Sequence, residues 1–163
     1  MTHRPFLRWP DPRLRMPAEP VEAVDDAVRA IWDEMVAAMQ AMPGVGLAAP
    51  QLGIMRRLAV VDAGDGQGVT RLANPRILHA SATLRDHEEA SPNLPGVSAR
   101  VSRPRAVTVT FLDETGAERE AEFVMLRATS VQHQIDHLDG RMYFHRLSKV
   151  KRDMLLRRAA KCA

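Results

Sequence analysis

The fold is decided by one stretch of the chain, Ser130-Val131-Gln132-His133-Gln134-Ile135-Asp136-His137-Leu138-Asp139-Gly140. Apolar residues recur there at helical spacing and are expected to face a core: Ala128, Val131, Ile135 and Leu138. Thr129 or Ser130 is expected to cap the start of the helix, and Gly140 suits a left-handed turn at its end. The pattern predicts a buried central helix.

Two histidines of this helix could form a metal site. His133 and His137 are four residues apart, which places their Cβ atoms roughly 6 Å from each other on one face. Such a pair can hold a zinc-like ion, and in the familiar His-Glu-x-x-His motif the glutamate acts as general base. Gln134 stands at that glutamate position. Alone, the pair is more often two histidines at a helix edge.

Composition sets broad limits on the class of protein. A length of 163 residues suits one domain, residues 1–163, and a net charge of +3 permits an acidic partner without demanding one. Cys162 is the only cysteine, which excludes a disulfide within the chain. The N-terminal residues 1–15 lack the apolar run of a signal peptide, and no stretch has the roughly 20 apolar residues of a membrane span. We expect a cytoplasmic protein with no membrane or DNA partner.

The order of the predicted elements indicates an α+β fold with a mainly antiparallel sheet around the central helix. An extended arm is expected over residues 1–20, and a shaped loop or a sheet edge over residues 87–96. Helices are predicted over residues 21–42 and 148–161. Strands are predicted over residues 58–61, 69–73, 76–84, 106–112 and 118–126.

Two further stretches could take part in a binding site. Gly46-Leu47-Ala48-Ala49-Pro50-Gln51 contains small residues that allow close approach of a ligand, and it ends in an amide donor. Alone, it would be a tight connection between a helix and a strand. Glu88-Glu89-Ala90-Ser91-Pro92-Asn93-Leu94-Pro95-Gly96 would alone be a surface loop.

In this order and spacing, the three stretches resemble the peptide deformylases. Those are metal-dependent enzymes that remove the formyl group from the N-terminal methionine of new bacterial polypeptides. The resemblance covers nearly the whole chain, including the arm Pro10–Arg15, the loop Gly44–Gln51 and a turn at Arg103-Pro104. It implies a small α+β domain whose central helix is wrapped by antiparallel strands.

The resemblance implies a metal site made of two helical histidines and one cysteine. His133 and His137 match the histidines, but Ser91 occupies the cysteine position of the family's Glu-Gly-Cys-Leu-Ser loop. A neutral hydroxyl is a poor ligand beside a thiolate, so no metal or a weakly bound divalent ion of the zinc or iron type is expected. The Ser91 hydroxyl or a water is then expected among the two histidines and Gln51. Conceivable substitute ligands are His87, Glu88 and His145.

Two catalytic groups of the family are also changed. The family stabilises the oxyanion with the backbone N–H that follows the cysteine and with a glutamine matched by Gln51. Pro92 has no N–H, and removal of one such donor typically costs on the order of 10²–10³ in rate. Gln134 replaces the proton-shuttling glutamate, a loss of typically ~10²–10⁴. Together with Ser91, these changes predict a catalytically impaired protein.

The scaffold of the site is expected to persist. The resemblance pairs Glu89 with Arg103 beneath the metal loop, and it assigns Gly46, Leu47 and Pro92 to substrate binding. We therefore expect a pocket that binds N-terminal peptides of nascent chains without cleaving them. The alternatives are a working metal-dependent hydrolase of formyl-peptides or related N-acyl substrates, and a purely structural subunit.

The C-terminal helix is basic. Its cationic residues are Lys149, Lys151, Arg152, Arg157, Arg158 and Lys161. A solvated helix face explains them most simply, and contact with ribosomal RNA phosphates is the alternative.

Overall fold

The computed structural model describes residues 2–162. The long helices are α1 (Asp26–Ala41), α2 (Met125–Leu138) and α3 (Lys149–Cys162). The strands are β1 (Gly46–Ala48), β2 (Leu58–Val61), β3 (Thr70–Ala80), β4 (Leu84–Glu89), β5 (Ala99–Pro104), β6 (Ala106–Leu112) and β7 (Glu118–Val124). Short 3-10 turns lie at Pro12–Arg15, Ala49–Leu52 and Tyr143–Arg146. The predicted α+β class is confirmed.

The strands form two antiparallel sheets. Five strands pair in the order β1-β2-β3-β6-β7, while β4 and β5 form a separate two-stranded ribbon. Successive side chains of a strand point to opposite faces, and β2 shows the consequence. Ala59 and Val61 pack in the cluster that contains α2, whereas Leu58 and Val60 pack in the cluster that contains α1. The larger sheet therefore lies between these two helices.

Helix α2 is buried almost throughout, as predicted, but it begins earlier than expected. Every residue from Arg127 to Leu138 is buried. Neither Thr129 nor Ser130 caps the helix, because the chain passes directly from β7 into α2 through Val124, which makes no side-chain cap bond. Met125 takes the sharp change of direction with a φ of 55°. The left-handed end is confirmed, since Gly140 has a φ of 78°.

Helix α1 is shorter than the predicted range 21–42. Asp25 caps it by accepting a hydrogen bond from Val28 N at 2.9 Å. Val21 lies before the helix because its backbone is held by Asn74, whose Oδ1 accepts from Val21 N at 2.9 Å. Apolar residues therefore recur at helical spacing before the helix begins, and the sequence pattern predicted a helix that was too long.

Several predicted strand limits are wrong. The two strands predicted over residues 69–73 and 76–84 are one strand, β3, which continues through an irregularity at Asn74 with a φ of 50°. The segment 87–96, predicted as a loop or an edge, begins within β4 of the two-stranded ribbon, and the expected turn at Arg103-Pro104 is the end of β5. The predicted strand 118–126 ends at Val124. The stretch 44–51, expected to be a loop, contains β1.

The N-terminal arm is tied to the loops that surround α2. Leu7 N donates to Gln51 O at 2.9 Å, and Trp9 N donates to Asn93 O at 2.8 Å. The arm therefore fixes the segments that carry two of the predicted site residues. Among residues 2–162, no helix combines the length and apolar character that crossing a bilayer requires.

Candidate active site

The two histidines of α2 face each other. His133 Nε2 and His137 Nε2 are 3.2 Å apart, and His133 Nδ1 lies 2.7 Å from Glu89 Oε1. Because a carboxylate only accepts, His133 Nδ1 carries a proton and donates it to Glu89. Burial, followed by the neighbouring charge of His133, lowers the pKa of His137 well below its ordinary value. In the neutral pair, His137 Nε2–H then donates to His133 Nε2.

A buried ion-pair network supports the two histidines through Glu89. Arg103 donates to Glu89 through Nε at 2.7 Å and Nη2 at 2.9 Å, which confirms the predicted pairing of these two residues. Arg103 Nη1 also donates to Asp136, which accepts further bonds from Arg146. Burial alone would raise the pKa of Glu89, but hydrogen bonds from His133 and Arg103 lower it to about 2. Glu89 is therefore an anion that holds His133 in a fixed orientation.

Ser91 is bound by neighbours other than the histidines. Its Oγ donates to Asn93 Oδ1 at 3.0 Å and accepts from Gln51 Nε2 at 3.4 Å. Asn93 N donates to the same Oγ at 3.2 Å. The expected proximity of Ser91 to Gln51 is confirmed, but among residues 2–162 this hydroxyl makes no hydrogen bond with either imidazole.

Asn93 joins the arm, the Gly-rich segment and the Ser91 loop. Its Nδ2 donates to Leu7 O at 2.7 Å and to Gln51 O at 3.1 Å, while its Oδ1 accepts from Gln51 Nε2 at 2.8 Å. Sequence reasoning missed this residue because its partners lie 42 and 86 positions away. The proline on either side of Asn93-Leu94 indicated only a loop.

Gly46 allows β1 to lie against α2. A Cβ at Gly46 would lie 2.3 Å from Ser130 Oγ and 2.5 Å from Gln134 Nε2, so only glycine fits without displacement. Ser130 Oγ donates to Val45 O at 2.9 Å, and Gln134 Nε2 lies 3.4 Å from Ser130 Oγ. Gln134 Oε1 is buried and has no hydrogen-bond partner within residues 2–162.

A cavity of about 290 Å³ opens beside these residues. It brings together the predicted site residues Gly46, Gln51, Ser91, Pro92, His133 and Gln134, together with the apolar side chains of Met42, Val45 and Leu126. His137 lies beneath the cavity and is only 1% exposed.

Four other predicted residues lie in different places. Leu47, expected to contact substrate, is fully buried in the cluster around α1 and does not line the cavity. His87 and Glu88 line the cavity wall, but His145 lies elsewhere and accepts from Met142 N at 2.9 Å. Of the three conceivable substitute ligands, only His87 and Glu88 share the cavity with His133.

The donor set does not fit a tightly held metal ion. Two imidazoles and a neutral hydroxyl provide no anionic ligand, and residues 2–162 contain no cluster of three His, Cys, Asp or Glu side chains suited to a metal. A histidine ligand normally donates its second ring N–H to an acceptor. His133 has Glu89 for this purpose, but His137 Nδ1 is buried without a partner. A metal on His137 Nε2 would leave a buried, unsatisfied N–H.

Comparison with known proteins agrees with the fold. The polypeptide deformylase family profile matches residues 3–153. Among similar proteins, a peptide deformylase of Rhizobium meliloti is 40% identical over 100% of this chain and 95% of its own. A peptide deformylase-like protein of Bradyrhizobium diazoefficiens is 38% identical over 99% of this chain and 95% of its own.

The same agreement extends to a solved structure. The peptide deformylase of Ehrlichia chaffeensis in complex with actinonin superposes with a TM-score of 0.91 at 32% identity, over 99% of this chain and 98% of that one. The match with the family profile and the identity with these relatives show that this chain belongs to the peptide deformylase family.

Proposed function

We propose that this protein is a catalytically impaired member of its family that binds the N-terminal peptides of nascent chains in the cytosol without deformylating them. The observation that carries the proposal is the bonding of Ser91. Its hydroxyl is engaged by Gln51 and Asn93, while the two histidines bond to each other. The Ser91 hydroxyl and the facing ring nitrogens thus have hydrogen-bond partners without a metal, whereas Gln134 Oε1 and His137 Nδ1 have none among residues 2–162.

Metal binding is the first function that we infer to be weakened. A divalent ion at the histidines would have to break their mutual bond and form its site without a thiolate. Zinc and iron favour anionic or imidazole ligands, and a neutral hydroxyl replaces neither. We therefore expect well below one equivalent of zinc or iron per chain in purified protein.

Stabilisation of the oxyanion is the second function that we infer to be weakened. Pro92 lines the cavity and has no N–H. The Nε2 group of Gln51, the other expected donor, is directed to Asn93 Oδ1 at 2.8 Å and Ser91 Oγ at 3.4 Å. An oxyanion would have to compete with these partners, so neither donor of the family is freely available.

Proton transfer is the third function that we infer to be weakened. Gln134 has the shape and reach of a glutamate, but an amide does not accept a proton at neutral pH. Its Nε2 is directed to Ser130 instead. The separate costs do not simply multiply, since groups that act together are non-additive. Loss of all three groups still supports an inactive protein.

Retention of peptide binding is supported by the shape of the cavity. Apolar side chains of Met42, Val45 and Leu126 line its wall, which suits the side chain of an N-terminal methionine. Strand β1 lies at the edge of the larger sheet, where an extended peptide can add backbone hydrogen bonds. These features do not depend on a metal.

The test uses freshly purified protein in three assays. Elemental analysis measures bound metal, calorimetry measures binding of formyl-Met-Ala-Ser and Met-Ala-Ser, and a coupled assay measures formate release. We expect little metal, saturable peptide binding and no formate. Absence of peptide binding would leave only a structural role, and stoichiometric metal with turnover would contradict the proposal.

A working hydrolase is the second candidate because the two Nε2 atoms face each other at 3.2 Å beside an open cavity. His87 or Glu88 would then have to supply a ligand. In that case one equivalent of metal should survive dialysis against a chelator, and His87→Ala or Glu88→Ala should release it.

A further inference from the structure

A second, basic cleft lies near the C-terminal end of α2. Its volume is about 310 Å³, and it shares no residue with the cavity beside the histidines. Its lining residues are Arg15, Gly140, Arg141, Met142, His145 and Arg146. None of them is acidic, so the cleft has a strongly positive lining.

The charge of this lining is largely uncompensated. Within residues 2–162, the guanidinium groups of Arg15 and Arg141 form no ion pair and no hydrogen bond, and both residues are exposed. The two acids nearest to Arg141 along the chain are already engaged. Asp136 is bound by Arg103 and Arg146, and Asp139 by Arg57 at 2.8 Å.

Arg146 and His145 add further donors at the wall. Arg146 binds Asp136 through Nε at 2.7 Å and Nη2 at 2.8 Å, which fixes the plane of its guanidinium and leaves Nη1 without a partner among the described residues. His145 Nδ1 accepts from Met142 N at 2.9 Å, so its Nε2 carries the ring proton. Burial and the charges of Arg152 and Arg141 lower the pKa of His145, as a positive potential requires.

The backbone of the cleft is fixed in place. Gly140, with a φ of 78°, lies so close to the arm that a Cβ would be 2.8 Å from the carbonyl of Arg15. This contact joins the segment that carries Arg15 to the one that carries Arg141. The Trp9 ring lies 5.7 Å from the Arg15 guanidinium and packs edgewise against His145. The basic groups are therefore brought together by the fold before any ligand arrives.

We propose that this cleft is a binding site for a phosphomonoester, an anion with several oxygens and close to two negative charges. Guanidinium groups bind such oxyanions in pairs of parallel hydrogen bonds. Three of them line a concave site of about 310 Å³, large enough for one phosphate group and a small attached moiety. The extended basic track that follows a nucleic-acid backbone is absent from this lining.

Calorimetric titration with inorganic phosphate and with ribose 5-phosphate, at constant ionic strength, tests the proposal. The fluorescence of Trp9 gives a second readout because its ring contacts Arg15 and His145, whereas Trp32, the other tryptophan, lies in the core cluster around α1. The variant Arg15→Gln/Arg141→Gln should weaken binding of both ligands by roughly tenfold or more, the value of a charged hydrogen bond. The single variant Arg15→Gln should show a smaller loss and provides the test if the double variant does not fold.

The matched control is Arg76→Gln/Arg105→Gln, which removes the same charge at exposed positions outside the cleft. It should bind both ligands as the parent does. Absence of saturable binding by the parent, or an equal loss in the control, would overturn the proposal. So would binding of a short single-stranded RNA without binding of either small ligand, since that result indicates a nucleic-acid surface.

Discussion

Glu89 accepts a hydrogen bond from His133 Nδ1 at 2.7 Å, and this contact directs the opposite ring nitrogen toward His137. Arg103, which is fully buried, holds the same carboxylate through two bonds. Glu89 and Arg103 therefore orient His133 through contacts that do not involve the side chain of Ser91.

Glu89→Gln should destabilise the fold strongly. The change leaves Arg103 with one anionic partner, Asp136, in a buried environment, and breaking a buried ion pair costs roughly 3–5 kcal/mol. Chemical denaturation of the variant measures the free energy of unfolding. Glu88→Gln, at an exposed neighbouring position, should change it by less than about 0.5 kcal/mol. Equal stability of the two variants would contradict the role of Glu89.

The carboxylate of Glu89 should also make the free energy of unfolding depend on pH. Its pKa is about 2 in the folded protein against an ordinary value of 4.5, so the unfolded chain takes up the proton first as pH falls. The stabilisation is complete above pH 4.5 and is lost progressively toward pH 2. This difference in pKa corresponds to a loss of roughly 3 kcal/mol in the free energy of unfolding. Denaturation curves of the parent and Glu89→Gln across this range should converge at low pH.

Asn93→Ala should release the N-terminal arm. The change removes the bonds from Asn93 to Leu7 O and Gln51 O and leaves Gln51 Nε2 without its shorter partner. We expect a loss of about 2–3 kcal/mol, since buried groups left unpaired cost more than the bond is worth. Hydrogen exchange at the Leu7 amide should accelerate beyond the global change.

Asn74→Ala is the control for this effect. Asn74 binds the backbone of Val21 in a similar way, but its loss does not touch the arm near Gln51. This variant should lose stability while Leu7 keeps its relative protection. If both variants expose the arm equally, Asn93 has no special part in holding it.

Gly46→Ala should disturb the contact between β1 and α2. The new methyl group would overlap Ser130 Oγ and Gln134 Nε2 and lies 3.1 Å from Val60 O, so we expect a loss of about 1–3 kcal/mol. Adding Ser130→Gly should recover part of it. Gly44→Ala meets only the flexible Met42 side chain, at 2.3 Å from Cε, and should cost less. Equal costs at both glycines would exclude this packing argument.

The sequence predicted the elements whose pattern is local. The apolar positions of α2, the strand predicted over residues 106–112, and the left-handed Gly140 are all confirmed. The start of α2 was not predictable from capping chemistry. The hydroxyl of Ser130, which looked like a cap, bonds instead to Val45 O, 85 residues away.

The candidate site was likewise predictable only in part from the sequence. The spacing of His133 and His137 and the pairing of Glu89 with Arg103 follow from motif positions, and the structure brings them together. The role of Asn93 depends on three segments that meet only in the folded chain. The motif position of Leu47 does not reveal that its side chain turns into the core around α1, so any contact of Leu47 with a peptide stays a prediction about its backbone.

The triple variant Ser91→Cys, Pro92→Leu and Gln134→Glu should gain deformylase activity when supplied with zinc or iron. Each change restores one missing group: a thiolate ligand, a backbone N–H donor and a carboxylate base. Ser91→Cys should also remove the hydrogen bond that Ser91 accepts from Gln51, because a thiolate bound to the metal would not be available to Gln51. Formate release from formyl-Met-Ala-Ser measures the gain. Each single variant should remain inactive, because a base has no activated water without the metal and the metal has no proton acceptor without the base.

The parent protein and a folded control, Glu88→Gln, complete this experiment and should release no formate. Robust turnover by the parent would contradict the loss of function. A folded triple variant that binds one equivalent of metal but stays inactive would place the remaining block at Asn93, which holds Gln51 Nε2 at 2.8 Å and so withholds the last oxyanion donor. Adding Asn93→Ser to that variant should then free Gln51 and restore turnover.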